Sequence, residues 1–237
     1  MGAKIVKYGT LFLDSKPVAP GSFFTGKAVS IGNTCSGKEL EWVIVGSILV
    51  ATRNICLHIS WADLNAAGFV YGTLICIDNR PYLCRCMTGS EWDAILDTLG
   101  DDNKLWHWTE GYSWFQEEYK NNHSRLVRGY FSARRQDPVG FHARSGTVGF
   151  RPVLEPLVRI PDDPAKLVGK HIRGYDMHWN AVKGKVVAFD DYDLILQTNK
   201  SLPEFCGKIA IPDTDDRFVV PRDSISWMRG KLQLPAR

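Results

Sequence analysis

Five arginines, Arg125, Arg128, Arg134, Arg135 and Arg144, fall close together and are interleaved with Tyr130, Phe131, Phe141 and His142. A guanidinium offers a planar fork of donors that fits a carboxylate or a phosphate, and its face stacks on aromatic rings. The stretch from about 120 to 147 therefore has the composition to grip an acidic protein surface or an anionic small molecule. A nucleotide or a nucleic-acid strand is a weaker variant of the same chemistry. Trp108, in Leu105-Trp-His-Trp108, is a further ring open to stacking, whereas Trp106 and Trp114 read as core.

The blander reading of these charges stands beside the sharp one. Residues Glu91 to Glu118 carry a balance of −7 and residues Lys120 to Arg151 one of +6. Two such segments can simply neutralise each other across a fold, as surface pairs do. Arg151, inside Gly149-Phe-Arg-Pro152, is expected to be structural and paired with an acid in the core. The segment from Val158 to Arg237 has a net charge of only +2, which by itself marks no nucleic-acid binder.

No activated nucleophile is visible. A Gly-x-Ser-x-Gly elbow is absent, and the six histidines form neither an H-x-x-x-H nor an H-E-x-x-H pattern. Cys84 and Cys86 are spaced for one face of a strand rather than for a metal-binding pair. Together with Cys56 and Cys76 they lie in apolar runs, where free cysteine behaves as a small core residue. The expectation is a protein that is not an enzyme, with no cofactor and no metal.

The elements that must position these residues can be read in outline. Lys4 to Asp14 reads as a strand, and Glu41 to Thr52 as a hairpin broken at Gly46-Ser47. Ser60 before Trp61-Ala-Asp63 and Ser90 before Glu91-Trp92-Asp93, each with an acid three residues on, mark two short helices closed by Gly68 and Gly100. In the second, Trp92, Ile95, Leu96 and Leu99 recur at the helical period. Phe69 to Ile77 and Tyr82 to Cys86 read as strands about the turn Asp78-Asn-Arg-Pro81. Leu126 to Phe131 and Val148 to Leu154 read as strands flanking a polar loop. Pro152, Pro156, Pro161 and Pro164 suggest a linker or domain boundary. Beyond it, His171 to Met177, Lys185 to Phe189, Leu194 to Thr198, Lys208 to Ile211 and Phe218 to Pro221 predict five short strands and a small barrel. Acidic turns at Asp190 to Asp193 and Asp213 to Asp216 read as solvated hairpin ends.

Several of these residues also carry a resemblance. Glu91-Trp92-Asp93, Leu105-Trp-His-Trp108, Ser113-Trp114, Arg125 with Val127-Arg-Gly129, Ser132-Ala-Arg134 and Val148-Gly-Phe-Arg-Pro-Val-Leu-Glu155 resemble C-type-lectin-like proteins of phage and gut bacteria. These are of the formylglycine-generating-enzyme-like and diversity-generating-retroelement variable types. The resemblance implies a C-type-lectin-like domain over 1–157 with two short helices on a mixed sheet; with the five-strand tail, 158–237, read as a small all-β, SH3-like barrel, the expected fold class is α+β. The resemblance also implies a ligand-contacting loop before the last strand. Departures from the family pattern are plain. No cysteine lies between Cys86 and Cys206, which removes the oxidase's late cysteine pair, and Glu155-Pro156-Leu157 lacks the side-chain oxygen of a calcium-binding triplet.

The resulting expectation is a binding protein that presents the 120–147 loop to a protein or anionic ligand, as in phage receptor recognition or display. The alternative is a phage inhibitor of bacterial immunity that binds a defence enzyme or sequesters a nucleotide signal. An iron-dependent oxidase on the same scaffold is a distant third. Residues 1 to 7 hold no apolar run or cleavage site, so a secretory signal is not expected. Host cytoplasm or a virion is the expected location, with no membrane partner and with oligomerisation left open.

Overall fold

The two longer helices begin where the chain supplies caps. The computed structural model describes residues 3–119, 121–198, 210–214 and 216–231. Ser60 caps α1 (Trp61–Ala66): its hydroxyl accepts from the Asp63 N–H, while the Asp63 carboxylate accepts from the Ser60 N–H. α2 (Gly89–Leu99) is capped by Thr88 and not by Ser90, with Glu91 completing the box. Thr88 has the extended backbone a cap needs, φ −91° and ψ 155°, while Ser90 already lies in the first turn. Trp92, Ile95 and Leu96 bury the predicted stripe, and Trp92 meets Trp106 edge-on at 5.0 Å. α3 (Asn103–Trp106) is a single turn.

Strands dominate the rest. In the first of two compact units, which runs to Pro156, they are β1 (Ile5–Leu13), β2 (Lys16–Val18), β3 (Ser22–Phe23), β4 (Val29–Gly32), β5 (Glu39–Val45), β6 (Ile48–Ala51), β7 (Cys56–Leu57), β8 (Thr73–Ile77), β9 (Arg80–Arg85), β10 (Tyr112–Tyr119), β11 (Asn121–Gly129), β12 (Ser132–Gly140), β13 (Val148–Phe150) and the start of β14 (Val153–Arg159). One antiparallel sheet runs β14-β6-β5-β1-β2, with β4 added on β1 and the β8–β9 hairpin on β14. A second, mixed sheet runs β12-β11-β10-β13-β7-β3. Its parallel contacts are β10 with β13 and β3 with β7. Val43, Val50, Trp92, Trp106, Phe115, Leu126 and Val153 share one core that draws on both sheets and α2.

The second unit begins at Leu157. Its strands are β15 (His171–Tyr175), β16 (Ala181–Phe189), β17 (Asp193–Gln197), β18 (Ile211–Thr214), β19 (Arg217–Pro221) and β20 (Trp227–Arg229). Alternate residues Ile172, Val182, Val186, Leu194, Leu196, Phe218, Val220 and Met228 form its core.

Two fold expectations are corrected. The α+β class gives way to a mainly β protein: strands make up 50% of it, the described α-helices are three and short, and the strands fall into two sheets. The stretch read as a polar loop is largely strand, and the proline-rich stretch holds strand β14 around Pro156, with Pro161 and Pro164 beyond its end and the division between the two units at Pro156 and Leu157. The SH3-like barrel is the second correction. Among the described residues the second unit has an open sheet, β20-β15-β16-β17-β19-β18, and no closed barrel. β18 is exposed throughout and carries Pro212, which lacks the N–H that a further ladder requires. Of the strand expected over Lys208 to Ile211, residues 208 and 209 lie outside the described residues.

Candidate functional site

The stretch expected to be a loop folds as the β11–β12 hairpin followed by a short segment, 141–147; Lys120, its first residue, lies outside the described residues. β12 is an edge strand with most side chains in water. It therefore needs no apolar alternation, and Pro138 is tolerated on a free edge. The ladder register shifts between Arg128 and Gly129, so Ala133, Arg134 and Arg135 bulge out of it.

That geometry sends each clustered arginine to a carboxylate. Arg128, buried, forks onto Asp93 of α2 at 2.6 and 3.1 Å. Arg134 reaches Asp97 at 2.6 Å and Asp93 at 3.6 Å. Arg125 pairs with Glu118 at 3.2 Å across β10–β11, with its guanidinium 4.4 Å from the Trp61 ring centroid and 5.6 Å from that of Phe141. Arg135 forks onto Asp137, two residues on along the same strand. Arg144 forks onto Asp63 at 2.7 and 2.9 Å. Burial works to raise the Asp63 carboxyl, but the hydrogen bonds from Arg144 and Ser60 outweigh it and hold the group at about 2.

The other end of β11 is different in character. Gly129 pairs with Ser132, leaving Tyr130 and Phe131 as a two-residue turn. Tyr130 has φ 65°, in the left-handed region that such turns normally fill with Asn or Gly. Its N–H donates to the Trp108 carbonyl at 2.7 Å. Gly129 (φ 119°) is required, because a Cβ there would stand 2.7 Å from the Gly111 carbonyl oxygen. Phe131 is 66% exposed and Tyr130 40%. Tyr112 packs beneath both, with ring centroids at 5.3 Å to Tyr130 and 6.4 Å to Phe131. Arg135 lies 5.6 Å from the Phe131 ring. The Tyr112 hydroxyl donates to Asp137 at 2.8 Å; burial, with that carboxylate, pushes the phenol up to about 12. The hydrogen bond from Arg135 in turn holds the Asp137 carboxyl below its ordinary value.

The predicted site residues thus divide into separate groups. Tyr130, Phe131 and Arg135 come together at the tip. Arg128 and Arg134 serve α2. Arg125 and Phe141 sit by α1, with the Phe141 and His142 rings 4.0 Å apart, and Arg144 is tied to α1 through Asp63. Trp108 is half-buried against the core, and its indole N–H donates to the Asp101 carbonyl. Its carbonyl also accepts from the Tyr130 N–H, so its backbone supports the tip. Sequence reasoning missed Tyr112 and Asp137 as members of the tip. The Arg135/Asp137 spacing of two is legible as one face of a strand, whereas the Tyr112–Gly129 pairing is a long-range register that no local signal carries.

The core holds one more correction. Arg151 is buried without an acid: it donates to the Ser113 hydroxyl and to the Ala51 and Thr52 carbonyls, and burial pushes its guanidinium down to about 9. The buried acid Glu155 instead belongs to Arg85, which bridges it at 2.7 Å to Glu91. Cys56, Cys84 and Cys86 are buried as expected, and burial raises each thiol; Cys76 is exposed. Among the described residues no His, Cys, Asp and Glu side chains gather into a group of three that could hold a metal, and no helix is long and apolar enough to cross a membrane.

Compared with models of protein families the chain matches none, and it matches no curated protein.

Proposed function

We propose that this is a non-catalytic binding protein whose recognition element is the tip of the β11–β12 hairpin, and that its partner there is a protein. One observation carries the reading: two large aromatics occupy a two-residue turn, exposed, with Tyr130 in a left-handed conformation that a bulky residue adopts at a cost of about 1–2 kcal/mol. Folding alone favours Asn or Gly there, so the aromatic pair stands against local preference, as recognition residues do. Tyr, Phe and Arg on a small rigid platform have the composition of an interface anchor. An anionic small molecule is the less favoured ligand, since each arginine nearby already holds a carboxylate that such a ligand must displace. The particular setting we propose is phage receptor recognition or display; inhibition of a bacterial defence enzyme is the alternative and would use the same tip.

A photo-crosslinking amino acid at Phe131, compared with the same group at Tyr71 and Phe189, tests this. The reading expects a discrete protein adduct from position 131 that the two other exposed positions do not give. Identical adducts from all three positions, or none from 131, overturn it.

A further inference from the structure

Net charge hides how the second unit sorts its charges. Its sheet has an inner face, which forms the core, and an outer one. Antiparallel register places residues opposite one another on the same face. His171 pairs with Lys185, and Arg173 with Lys183, all four pointing away from the core. On the other side of β15, Tyr175 pairs with Trp227, which pairs in turn with Arg159. The outer face thus sets base opposite base in two pairs across β15 and β16, with Arg159 on β14 beside Trp227. His171, Lys183, Lys185 and Arg159 are exposed, and Arg173 is half-buried.

Most of the described acids of this unit lie off these pairs. Asp162, Asp191, Asp193 and Asp223 line a cleft of about 440 Å³ with Arg222. Asp190 caps its own turn, and Asp176 accepts from the His178 and Asn180 backbone. Asp216 borders the face at its far end beside Arg217, where it accepts from Gln197 at 2.6 Å. None of Arg159, Arg173, Lys183 and Lys185 forms an ion pair with a described residue; Arg159 rests on the Trp227 ring at 4.3 Å and Arg173 on Tyr175 at 5.4 Å.

Like charges placed directly opposite in a sheet oppose folding, so such pairs ask for a counter-charge from outside. A row of phosphates supplies it. Neighbouring strands are about 4.8 Å apart and alternate residues along a strand about 6.6–6.8 Å apart, so the pairs form a closely spaced set of donors, on the scale of the phosphate-to-phosphate repeat of a nucleic-acid backbone. We propose that the outer face of the second unit's sheet binds nucleic acid through its phosphodiester backbone, without reading sequence. Arg159, Arg173, Lys183 and Lys185 are the contacting cations, and the surface is distinct from the hairpin tip.

Fluorescence anisotropy of labelled 20-nucleotide oligo-dT and of a 20-base-pair duplex, titrated with the full chain at several salt concentrations, tests this. The proposal expects binding to at least one probe that weakens steeply with salt, the logarithmic slope falling by about 1 for each phosphate contact removed. Lys183→Glu with Lys185→Glu should weaken binding at least tenfold. The milder pair Lys183→Gln with Lys185→Gln, at two exposed positions, should still cost severalfold with the circular dichroism spectrum unchanged. Arg134→Gln with Arg135→Gln, in the hairpin, should leave affinity within twofold. No binding of either probe at low salt, equal loss from the hairpin pair, or tighter binding to anionic lipid vesicles than to either oligonucleotide overturns the proposal.

Discussion

In the first unit Arg125, Arg128, Arg134, Arg135 and Arg144 each end on a carboxylate, at 2.6 to 3.2 Å. In the second unit, Arg159, Arg173, Lys183 and Lys185 share a sheet face and end on none among the described residues. The stretch with the higher local charge is thus the more completely neutralised one, while the unit with a balance of only +2 gathers several of its bases on one sheet face away from any described acid. Charge summed along a chain says little about field; what matters is the face on which each side chain stands. The same contrast separates two kinds of recognition. The hairpin tip is left with aromatic surface as its distinguishing chemistry, and the outer sheet face is left with positive charge.

Unfolding measurements test this contrast. The largest effect is expected where charge is most deeply built into the first unit. Arg85→Ala leaves Glu155 buried and strands Glu91, and should destabilise by about 3–5 kcal/mol in urea unfolding. A loss under 1 kcal/mol there, on the order of an exposed pair, would mean that ion pairs do not organise this unit. Next comes the turn. Tyr130→Asn removes left-handed strain of about 1–2 kcal/mol and forfeits ring contacts of similar size, about 0.5–1.5 kcal/mol each. The expected result is a melting temperature that is unchanged or slightly raised, together with loss of the adduct expected at Phe131. A fall of many degrees would make the tip a structural element instead.

Acid should act on the first unit through Asp63. Its folded value of about 2 lies below the ordinary carboxylate value of 3.8. The contribution is therefore fully present above about pH 4 and is lost as pH falls through 4 towards 2. Arg144→Gln removes the main partner and should flatten that part of the stability–pH curve. An unchanged curve in the variant would assign the acid sensitivity to other groups.

Much of the scaffold is legible locally. Ser60 with Asp63, the Gly46-Ser47 break, the Trp92/Ile95/Leu96 stripe and the alternation in the second unit each follow from a short window of sequence. β12 is not legible, because an exposed edge strand has no apolar period to display and its Arg-Arg-Gln-Asp-Pro run looks like a loop. The α+β expectation gives way here and at β14, where the strand expected to end at Leu154 runs on through Pro156 to Arg159. The tip was named in part, through Tyr130, Phe131 and Arg135, but Tyr112 joins it only through register. The basic face was missed altogether, since Arg159, Arg173, Lys183 and Lys185 are scattered in the chain and meet only across strands.

The most direct test of the contrast is a pair of urea unfolding curves on the full chain at low salt, for Arg128→Gln and Lys183→Gln. Arg128→Gln removes two charge-assisted bonds to Asp93 and should destabilise by about 1–3 kcal/mol. Lys183→Gln relieves its opposition to Arg173 and should stabilise by a few tenths to about 1 kcal/mol, an effect that fades as salt is added. Opposite signs are the predicted result; destabilisation by both substitutions would contradict the account.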